Sequence, residues 1–171
     1  MSAIRIRLAE ARDDTAVGEL LVRAFVTSYA QKMPLVQVSE QRKADLRAVA
    51  AKRAMARVWV AERDERGARV IGTIAAWAIG AEGSEAWLPG AIDLRHLAVD
   101  ASAKGYGVSA MLIEVAEGWA RAQGAKTVCL HVRRGVTGVR RLYESRGYVS
   151  DPKGDLDLLP DVYLEALYRA L

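Results

Sequence analysis

The order of apolar and polar residues predicts the first elements of the chain. Apolar residues alternate with arginines over residues 4–8, which is the pattern of a half-buried strand. After Asp13, a candidate N-cap, apolar residues recur at three- and four-residue steps to about Tyr29, so an amphipathic helix is predicted there. Met33-Pro34 is predicted to stop this helix.

A second, more polar helix is predicted to open at Ser39 and to run through a charged segment up to Arg53. Leu46, Val49 and Ala50 are expected to face inward. The charged side chains of this segment are expected to face solvent.

The middle of the chain predicts three consecutive strands. Apolar runs at residues 58–60 and 70–79 flank the turn-forming residues 64–67, which predicts an antiparallel hairpin. The second run carries no charge, so its strand is expected to be buried on both faces. Residues 91–100 predict a third strand after two breaks that contain glycine and proline.

The second half of the chain changes character. A glycine loop at residues 104–107 leads into an apolar stripe from Met111 to Trp119, which predicts a helix ending at Gly124. The remaining predicted elements are a strand at 128–132, a short helix at 139–143 closed by Gly147, and two last strands at 148–149 and 162–167, joined by an acidic loop. The order is β-α-α-β-β-β-α-β-α-β-β, so we expect an α/β or α+β fold with a mixed sheet in a single domain, residues 1–171.

Composition excludes several classes of protein. The 171 residues include 25 basic and 21 acidic side chains, a net charge of +4, and 51% of them are hydrophobic, as expected for a soluble, mildly basic domain. The longest uncharged stretch, residues 70–81, is too short for a membrane-spanning helix. One cysteine and two histidines leave no internal disulfide and no structural zinc site. The first residues lack the apolar segment of a secretory signal, so a cytoplasmic location is expected.

The glycine loop is a candidate anion site. Gly105 and Gly107 permit positive φ angles, so successive N–H groups can converge on a phosphate at the start of the next helix, with Lys104 at the rim. A dinucleotide-binding fingerprint does not fit, because such a loop follows a first parallel strand and precedes an acidic residue by about 20 positions. The Walker sequence of nucleotide triphosphatases is absent from the chain.

Three segments form a longer pattern: Leu97-Ala98-Val99-Asp100, the loop Lys104-Gly105-Tyr106-Gly107-Val108-Ser109, and Leu142-Tyr143-Glu144-Ser145-Arg146-Gly147-Tyr148. In this order and separation they resemble the GNAT superfamily of acetyl-CoA-dependent N-acetyltransferases. The order of elements agrees with that family along nearly the whole chain. The resemblance implies a GNAT-like fold, a mixed and mostly antiparallel sheet of about six to seven strands flanked by about four helices.

The resemblance also implies how acetyl-CoA would bind as a co-substrate, without a metal. The strand that ends at Val99 would splay from the next strand, and the backbone of Leu97, Ala98 and Val99 would bind the pantetheine arm. The pyrophosphate would lie on Lys104, Gly105, Tyr106, Gly107, Val108, Ser109 and Ala110. The cluster Arg133, Arg134, Arg140 and Arg141 is a further candidate for neutralising the phosphates of coenzyme A.

Four residues depart from the family's pattern. Lys104 stands where Arg or Gln is usual; it keeps a positive charge but lacks the bidentate fork of Arg. Ala101 stands where Pro is common, and Ser109 where Gly or Ala is usual. Val136 stands where an Asn often contacts the cofactor or the acceptor, so that side-chain contact is not expected here.

Acetyl transfer to an amine needs a proton donor for the departing thiolate and a base for the ammonium group. Tyr143 suits the first task, because a phenol with a pKa of about 10 is still protonated while a thiol with a pKa of about 8.5 leaves. The matching tyrosine in GNAT enzymes commonly has this role.

Three side chains are candidates for the base, and a chain of water molecules is a fourth. His131 comes first, because imidazole titrates near neutral pH and because its position before Tyr143 resembles that of a base in members that acetylate protein N-termini. Asp93 matches a position that carries Glu or His in histone- and arylalkylamine-type members. His96 comes last; from its strand parity with Leu94 and Ala98 it is expected to be a hydrogen-bonded core histidine.

The sequence therefore predicts an acetyl-CoA-dependent N-acetyltransferase that acts on a primary amine of a small molecule, protein or peptide. Its partners would be acetyl-CoA and the amine, not nucleic acid or a membrane, and it would be a monomer or a homodimer. The acidic loop with Asp151, Asp155, Asp157 and Asp161 is a candidate for attracting a cationic amine, with Trp87 at the rim of the same pocket. The alternative is a non-catalytic acyl-CoA-binding or regulatory module with the same fold.

Overall fold

A mixed β-sheet forms the centre of the fold. The computed structural model describes residues 3–32, 37–64, 67–160 and 162–171. Within them lie eight strands: β1 Ile4–Leu8, β2 Arg57–Arg63, β3 Arg69–Trp77, β4 Ala91–Val99, β5 Thr127–Arg133, β6 Val149–Ser150, β7 Leu156–Leu158 and β8 Val162–Ala170. The sheet has the order β1-β2-β3-β4-β5-β8-β6, and β7 also pairs with β8. Neighbours are antiparallel except β4 and β5, which run parallel.

Five α-helices lie in the same described residues: α1 Asp14–Lys32, α2 Glu40–Arg47, α3 Val49–Met55, α4 Val108–Ala122 and α5 Thr137–Ser145. Ser39 caps α2 as predicted, because its Oγ accepts the N–H of Arg42 at 3.1 Å. Asp13 is not an N-cap; it ends a 3₁₀ turn, and its carboxylate accepts the N–H of Glu10 at 2.7 Å. The predicted stop at Met33-Pro34 lies outside the described residues. No helix in the described ranges is long and apolar enough to cross a membrane.

Two apolar clusters cover opposite faces of the sheet. On one face, Leu112 and Ile113 of α4 pack with Trp59 of β2. On the other, Leu20 of α1 packs with Val60, the next residue of β2. Successive strand residues point to opposite faces, so these contacts place α4 and α1 on different sides. The side that carries α1, α2 and α3 is called the acceptor face below, and the other side the α4 face.

The predicted fold class and order of elements are confirmed, with two additional elements. The polar helix is two helices, broken at Ala48, whose ψ of 52° is not helical. Leu46 and Val49 are buried as predicted, but Ala50 is exposed and Lys52 is buried, because the break changes the phase of the apolar stripe. The second addition, β7, is three residues long and therefore too short to show a periodic pattern.

Candidate active site

Strands β4 and β5 separate part-way along their length. They pair from Ala91 with Thr127 up to Leu94 with Leu130. Beyond that point β4 continues along β3, and β5 continues along β8. A V-shaped opening therefore lies between the two strands, as the family resemblance implies.

The backbone of β4 lines one side of this opening. The N–H of Asp100 donates to the carbonyl of Ile71 on β3 at 2.8 Å. Backbone groups alternate in direction along an antiparallel strand, so those of Leu97 and Val99 face away from β3 and into the opening. An extended chain laid there would find unpaired donors and acceptors on this edge.

A bulge shapes β4 at the opening. Thr73 pairs with Ala98 and Ala75 with Arg95, so β4 has one extra residue between these pairs. His96 lies at this position with a φ of 59°, an uncommon conformation for a residue other than glycine. The extra residue of the bulge shifts the alternation of side chains, so Leu94 and Ala98 lie on opposite faces of the sheet. His96 cannot share a face with both, and the predicted parity is wrong.

The glycine loop has the conformation that anion binding requires. Gly105 has a φ of 83° and Gly107 a φ of 74°, and a Cβ built at either position meets no atom within 4 Å. Helix α4 begins directly afterwards at Val108, where the first N–H groups have no acceptor within the helix. Lys104 is exposed beside them. The N–H of Tyr106 already donates to the carbonyl of Ala103 at 3.4 Å, so the loop offers a phosphate the amides of Gly105 and Gly107, those of the first turn of α4, and a positive charge.

Tyr143 lies on α5, in the cluster on the α4 face. Its side chain is buried, and its ring meets that of Tyr148 edge-on with centroids 5.2 Å apart. Burial, followed by the negative charge of Glu117, raises the pKa of the Tyr143 phenol above its ordinary value. The hydroxyl therefore stays protonated over the physiological pH range.

His131 is the first residue of β5 beyond its last pair with β4. Its Nε2 lies 2.8 Å from the carbonyl oxygen of Gly154. A carbonyl accepts only, so Nε2 bears the proton and Nδ1 bears the lone pair of the neutral ring. Nδ1 has no hydrogen-bond partner among the described residues, and Glu85 Oε2 lies 3.9 Å away. The ring is thus held in the form that can accept a proton, beside a carboxylate.

Trp87 contacts both His131 and the acidic loop. The centroids of the two rings are 5.2 Å apart, and the indole N–H of Trp87 donates to Asp151 at 2.8 Å. A Cβ on Gly154 would lie 2.2 Å from the indole ring, so this position has room only for glycine. The close packing fixes the carbonyl that orients His131.

Asp93 is fully buried on the acceptor face. Its Oδ2 accepts the N–H of Glu85 at 2.8 Å and Nε–H of Arg95 at 2.7 Å. Its Oδ1 has no partner in the described part of the chain. Asp93 thereby positions the segment that carries Glu85, close to His131. Its neighbour across the strands is Cys129, whose pKa burial raises to about 11, so this thiol is not a nucleophile at neutral pH.

His96 does not have the fully hydrogen-bonded environment expected from the sequence. Its Nδ1 is buried and has no hydrogen-bond partner in the described residues. Burial lowers the pKa of His96 well below its ordinary value, and the charges of Lys52, Arg42 and Arg95 lower it further. The imidazole is therefore neutral at pH 7.

Three arginines at residues 133–140 contact other side chains of the protein. Arg134 and Arg140 both pair with Glu165, at 3.3 and 2.6 Å. The guanidinium of Arg133 lies 4.5 Å from the ring centroid of Tyr29. Three of the four arginines proposed to neutralise coenzyme A phosphates thus have other partners.

Sequence reasoning missed Glu85 and Arg95 as members of the site. Arg95 had a usable signal, because a second charge two residues from Asp93 inside an apolar strand suggests a buried pair. Glu85 lies in an irregular loop, where no periodicity indicates its direction.

The sequence also matches a known protein family. A model of the Acetyltransferase (GNAT) family matches residues 16–148. The chain belongs to the GNAT acetyltransferase family. The matched segment includes the opening between β4 and β5, the glycine loop, His131 and Tyr143. Family membership supports acyl transfer as the general activity of this GNAT chain.

Solved structures have the same fold at low sequence identity. A GNAT-family acetyltransferase from Staphylococcus aureus Mu50 superimposes with a TM-score of 0.77 at 15% identity, covering 99% of each chain. PaiA N-acetyltransferase from Thermoplasma acidophilum, in complex with coenzyme A, gives 0.70 at 14% identity and 99% of each chain. A GCN5-related N-acetyltransferase from Kribbella flavida gives 0.69 at 19%, covering 99% of this GNAT chain and 98% of the other. No curated protein sequence matches the chain.

Proposed function

We propose that this GNAT acetyltransferase, as a single domain of residues 1–171, transfers acetyl from acetyl-CoA directly to a primary amine. The observation that carries the proposal is the opening between β4 and β5, which leads from the glycine loop to the cluster around His131. The complex of the Thermoplasma protein with coenzyme A, on the same fold, supports acetyl-CoA as the co-substrate.

The residues present fit a long anionic acyl carrier. The unpaired backbone of Leu97 and Val99 suits the amide groups of a pantetheine arm, with Ala98 between them facing the acceptor face. The exposed Lys104, the open backbone from Gly105 through Tyr106 to Gly107, and the first-turn amides of Val108, Ser109 and Ala110 suit a pyrophosphate. Acetyl-CoA supplies the thioester that activates the acetyl group.

His131 is the proposed base. Its Nδ1 is buried, so it receives the proton of the acceptor's ammonium group through a water molecule, while Nε2–H stays bonded to the carbonyl of Gly154. Glu85 stabilises the imidazolium that forms, because its carboxylate lies beside Nδ1. Asp93 and Arg95 act as positioning residues for Glu85.

Tyr143 acts on the departing sulfur from the α4 face, opposite His131. A phenol with a raised pKa holds its proton firmly, so it stabilises the developing thiolate as a hydrogen-bond donor. The two candidate groups thus approach the reacting atoms from opposite faces of the sheet.

Two measurements test the function. Acetyl-CoA is expected to raise the melting temperature of the protein, and release of free coenzyme A is expected with some members of a panel of primary amines. His131→Ala should lower kcat/KM by roughly 10²- to 10⁴-fold and flatten the pH–rate profile, with acetyl-CoA affinity unchanged. Lys126→Ala, at an exposed lysine near the opposite end of β5, is the matched control and should behave as the wild type.

The outcomes separate the alternatives. Stabilisation by acetyl-CoA without release of coenzyme A for any amine would favour a non-catalytic acyl-CoA-binding module. Absence of stabilisation at millimolar acetyl-CoA would contradict both functions. A His131→Ala variant with the wild-type pH profile would exclude His131 as the base.

A further inference from the structure

Three cations meet on the acceptor face beside the bulge of β4. They are Arg42 of α2, Lys52 of α3 and Arg133 at the end of β5, called the basic cluster here. Arg133 lies 4.5 Å over the ring of Tyr29. Burial raises the pKa of the Tyr29 phenol, and the charges of Arg133 and Arg42 oppose this rise. The charges of Lys52, Arg42 and Arg95 act on His96, so Arg42 acts on both His96 and Tyr29. The Lys52 ammonium reaches the carbonyl of Leu46, one helical turn after Arg42 on α2.

Two of these charges, on Lys52 and Arg42, have no ion-pair partner among the described residues, although the charge of Asp45 also acts on Lys52. Lys52 is 8% exposed, and its ammonium donates to the carbonyl of Leu46 at 2.8 Å. Burial, and then the charge of Arg42, lower the pKa of Lys52 to about 8. Neither Lys52 nor Arg42 forms an ion pair with an acidic residue in the ranges that the structure describes.

Neighbouring cations on the same two helices are paired, which makes this arrangement distinctive. Lys43 lies 2.6 Å from Glu40, and Arg53 lies 2.6 Å from Asp14. Of the two unpaired cations, Lys52 is buried and Arg42 is exposed. An unpaired buried charge such as that of Lys52 destabilises a fold, so it is retained more readily where a ligand supplies the opposite charge.

The basic cluster lies next to the reacting centre. His96 precedes Leu97, whose backbone faces the opening between β4 and β5. Arg133 follows His131 by two residues on β5, so both side chains point to the same face, about 7 Å apart along the strand. An acceptor with its amine at His131 would reach Arg133, the nearest member of the basic cluster along β5, within a few bonds.

We infer that the acceptor carries an anionic group, a carboxylate or a phosphate, which binds the basic cluster while its amine lies beside His131 and Glu85. This inference rests on the proposed function and names small zwitterionic amines, such as amino acids, as the acceptor class. This acceptor class differs from the purely cationic amine that the acidic loop suggests in the sequence. Two carboxylates of the acidic loop already accept hydrogen bonds within the protein: Asp151 from the indole of Trp87, and Asp155 from the hydroxyl of Tyr163 at 2.9 Å.

Matched pairs of acceptors test this inference. We expect kcat/KM to be roughly tenfold or more higher for amino acids than for their carboxamides, or for phosphoethanolamine than for ethanolamine, because loss of a charged partner weakens binding by about this factor. The first pair reports a carboxylate and the second a phosphate. Equal or better use of both neutral analogues would overturn the inference, as would acetylation of acidic peptides alone.

A pair of variants assigns the effect to the basic cluster. Arg42→Gln removes an exposed charge of the cluster, and Lys43→Gln removes the adjacent charge that is paired with Glu40. The ratio of kcat/KM for acid over amide should fall several-fold in Arg42→Gln and stay at the wild-type value in Lys43→Gln. Equal ratios in the two variants would contradict the assignment.

Binding separates failure of this inference from failure of the proposed function. In the presence of coenzyme A, the preferred zwitterion should raise the melting temperature, and its carboxamide should not. If no amine is acetylated but this difference persists and is lost in Arg42→Gln, the anion site stands and the proposed catalysis fails. If amines are acetylated without any preference for an anionic group, the catalysis stands and the anion site fails.

Discussion

His131 and Tyr143 have different surroundings because they lie on opposite faces of the sheet. His131 is held by a carbonyl with its lone pair beside a carboxylate. Tyr143 lies in an apolar cluster near the negative charge of Glu117, and both raise its pKa. The first environment leaves a lone pair beside a carboxylate, and the second keeps the phenol protonated.

Tyr143→Phe tests this division of roles. The variant should lower kcat by roughly 10- to 1000-fold, because it removes one donor to the departing sulfur, and leave the KM for acetyl-CoA nearly unchanged. The matched control is Tyr148→Phe, which removes a hydroxyl that donates to Glu117 at 2.9 Å. The control should lose about 1–3 kcal/mol of unfolding free energy and retain turnover. Equal kcat losses in both variants would show that Tyr143 acts only through packing.

For single residues, the sequence predicts which side chains are candidates for the site but not which groups surround them. Spacing and resemblance predict Tyr143, His131 and Asp93 as site residues, and the structure places His131 and Asp93 in one cluster around Glu85. The pairing of Asp93 with Arg95 and the packing of Trp87 on Gly154 depend on contacts between distant segments. Local patterns do not encode such contacts.

Among the elements, the glycine loop and α4 form the unit whose backbone is proposed to bind the acyl carrier. Gly107 is the last residue before α4, with a left-handed φ of 74°. Gly118 lies in the middle of α4, exposed and with open space where a Cβ would lie. Substitution by alanine at Gly107 therefore tests the loop conformation, and the same substitution at Gly118 reports the effect of alanine on helix stability alone.

Gly107→Ala should raise the KM for acetyl-CoA severalfold and lower the unfolding free energy by about 1 kcal/mol, because alanine is strained in the left-handed region. Gly118→Ala should instead stabilise the protein by about 0.5–1 kcal/mol, because alanine favours helix, with KM unchanged. Steady-state kinetics and denaturant unfolding provide both readings. A Gly107→Ala variant with the wild-type KM would show that the loop does not need this conformation to bind the carrier.

Element prediction succeeded where periodicity runs long and failed where one residue breaks it. Helix α4 and the β2–β3 hairpin were predicted from extended patterns, and both are present. The break at Ala48 and the bulge at His96 each change the phase of the side chains, so the predicted inward position of Ala50 and the predicted parity of His96 are wrong. A sequence without an alignment carries no signal for such single-residue shifts.

Across the whole molecule, ion pairs tie the first strand to its neighbours. Arg7 of β1 forms two hydrogen bonds with Asp13, at 2.7 and 3.0 Å, and one with Glu62 of β2 at 2.9 Å. The bond from Arg7 lowers the pKa of Asp13 below its ordinary value, although burial opposes the shift. This network joins β1, β2 and the start of α1 at one edge of the sheet.

Stability should therefore depend on Asp13 in acid. Its folded pKa is below its unfolded pKa, so its contribution is present above about pH 4 and is lost as the pH falls through the folded value. Asp13→Asn should cost about 2 kcal/mol of unfolding free energy at pH 7 and much less near pH 2. Asp64→Asn, at an exposed aspartate, should cost little at either pH. A cost for Asp13→Asn that does not change with pH would point to lost packing instead of lost charge.

The alternation of β4 has a consequence for how such a protein can diverge. Leu97 and Val99 pack on the α4 face, whereas Ala98 packs on the acceptor face. On the proposed function, substitutions on the acceptor face would change the choice of acceptor, and the residues of the α4 face would preserve use of the acyl donor. Such an acyltransferase could then gain new acceptors through changes at alternate positions of one strand.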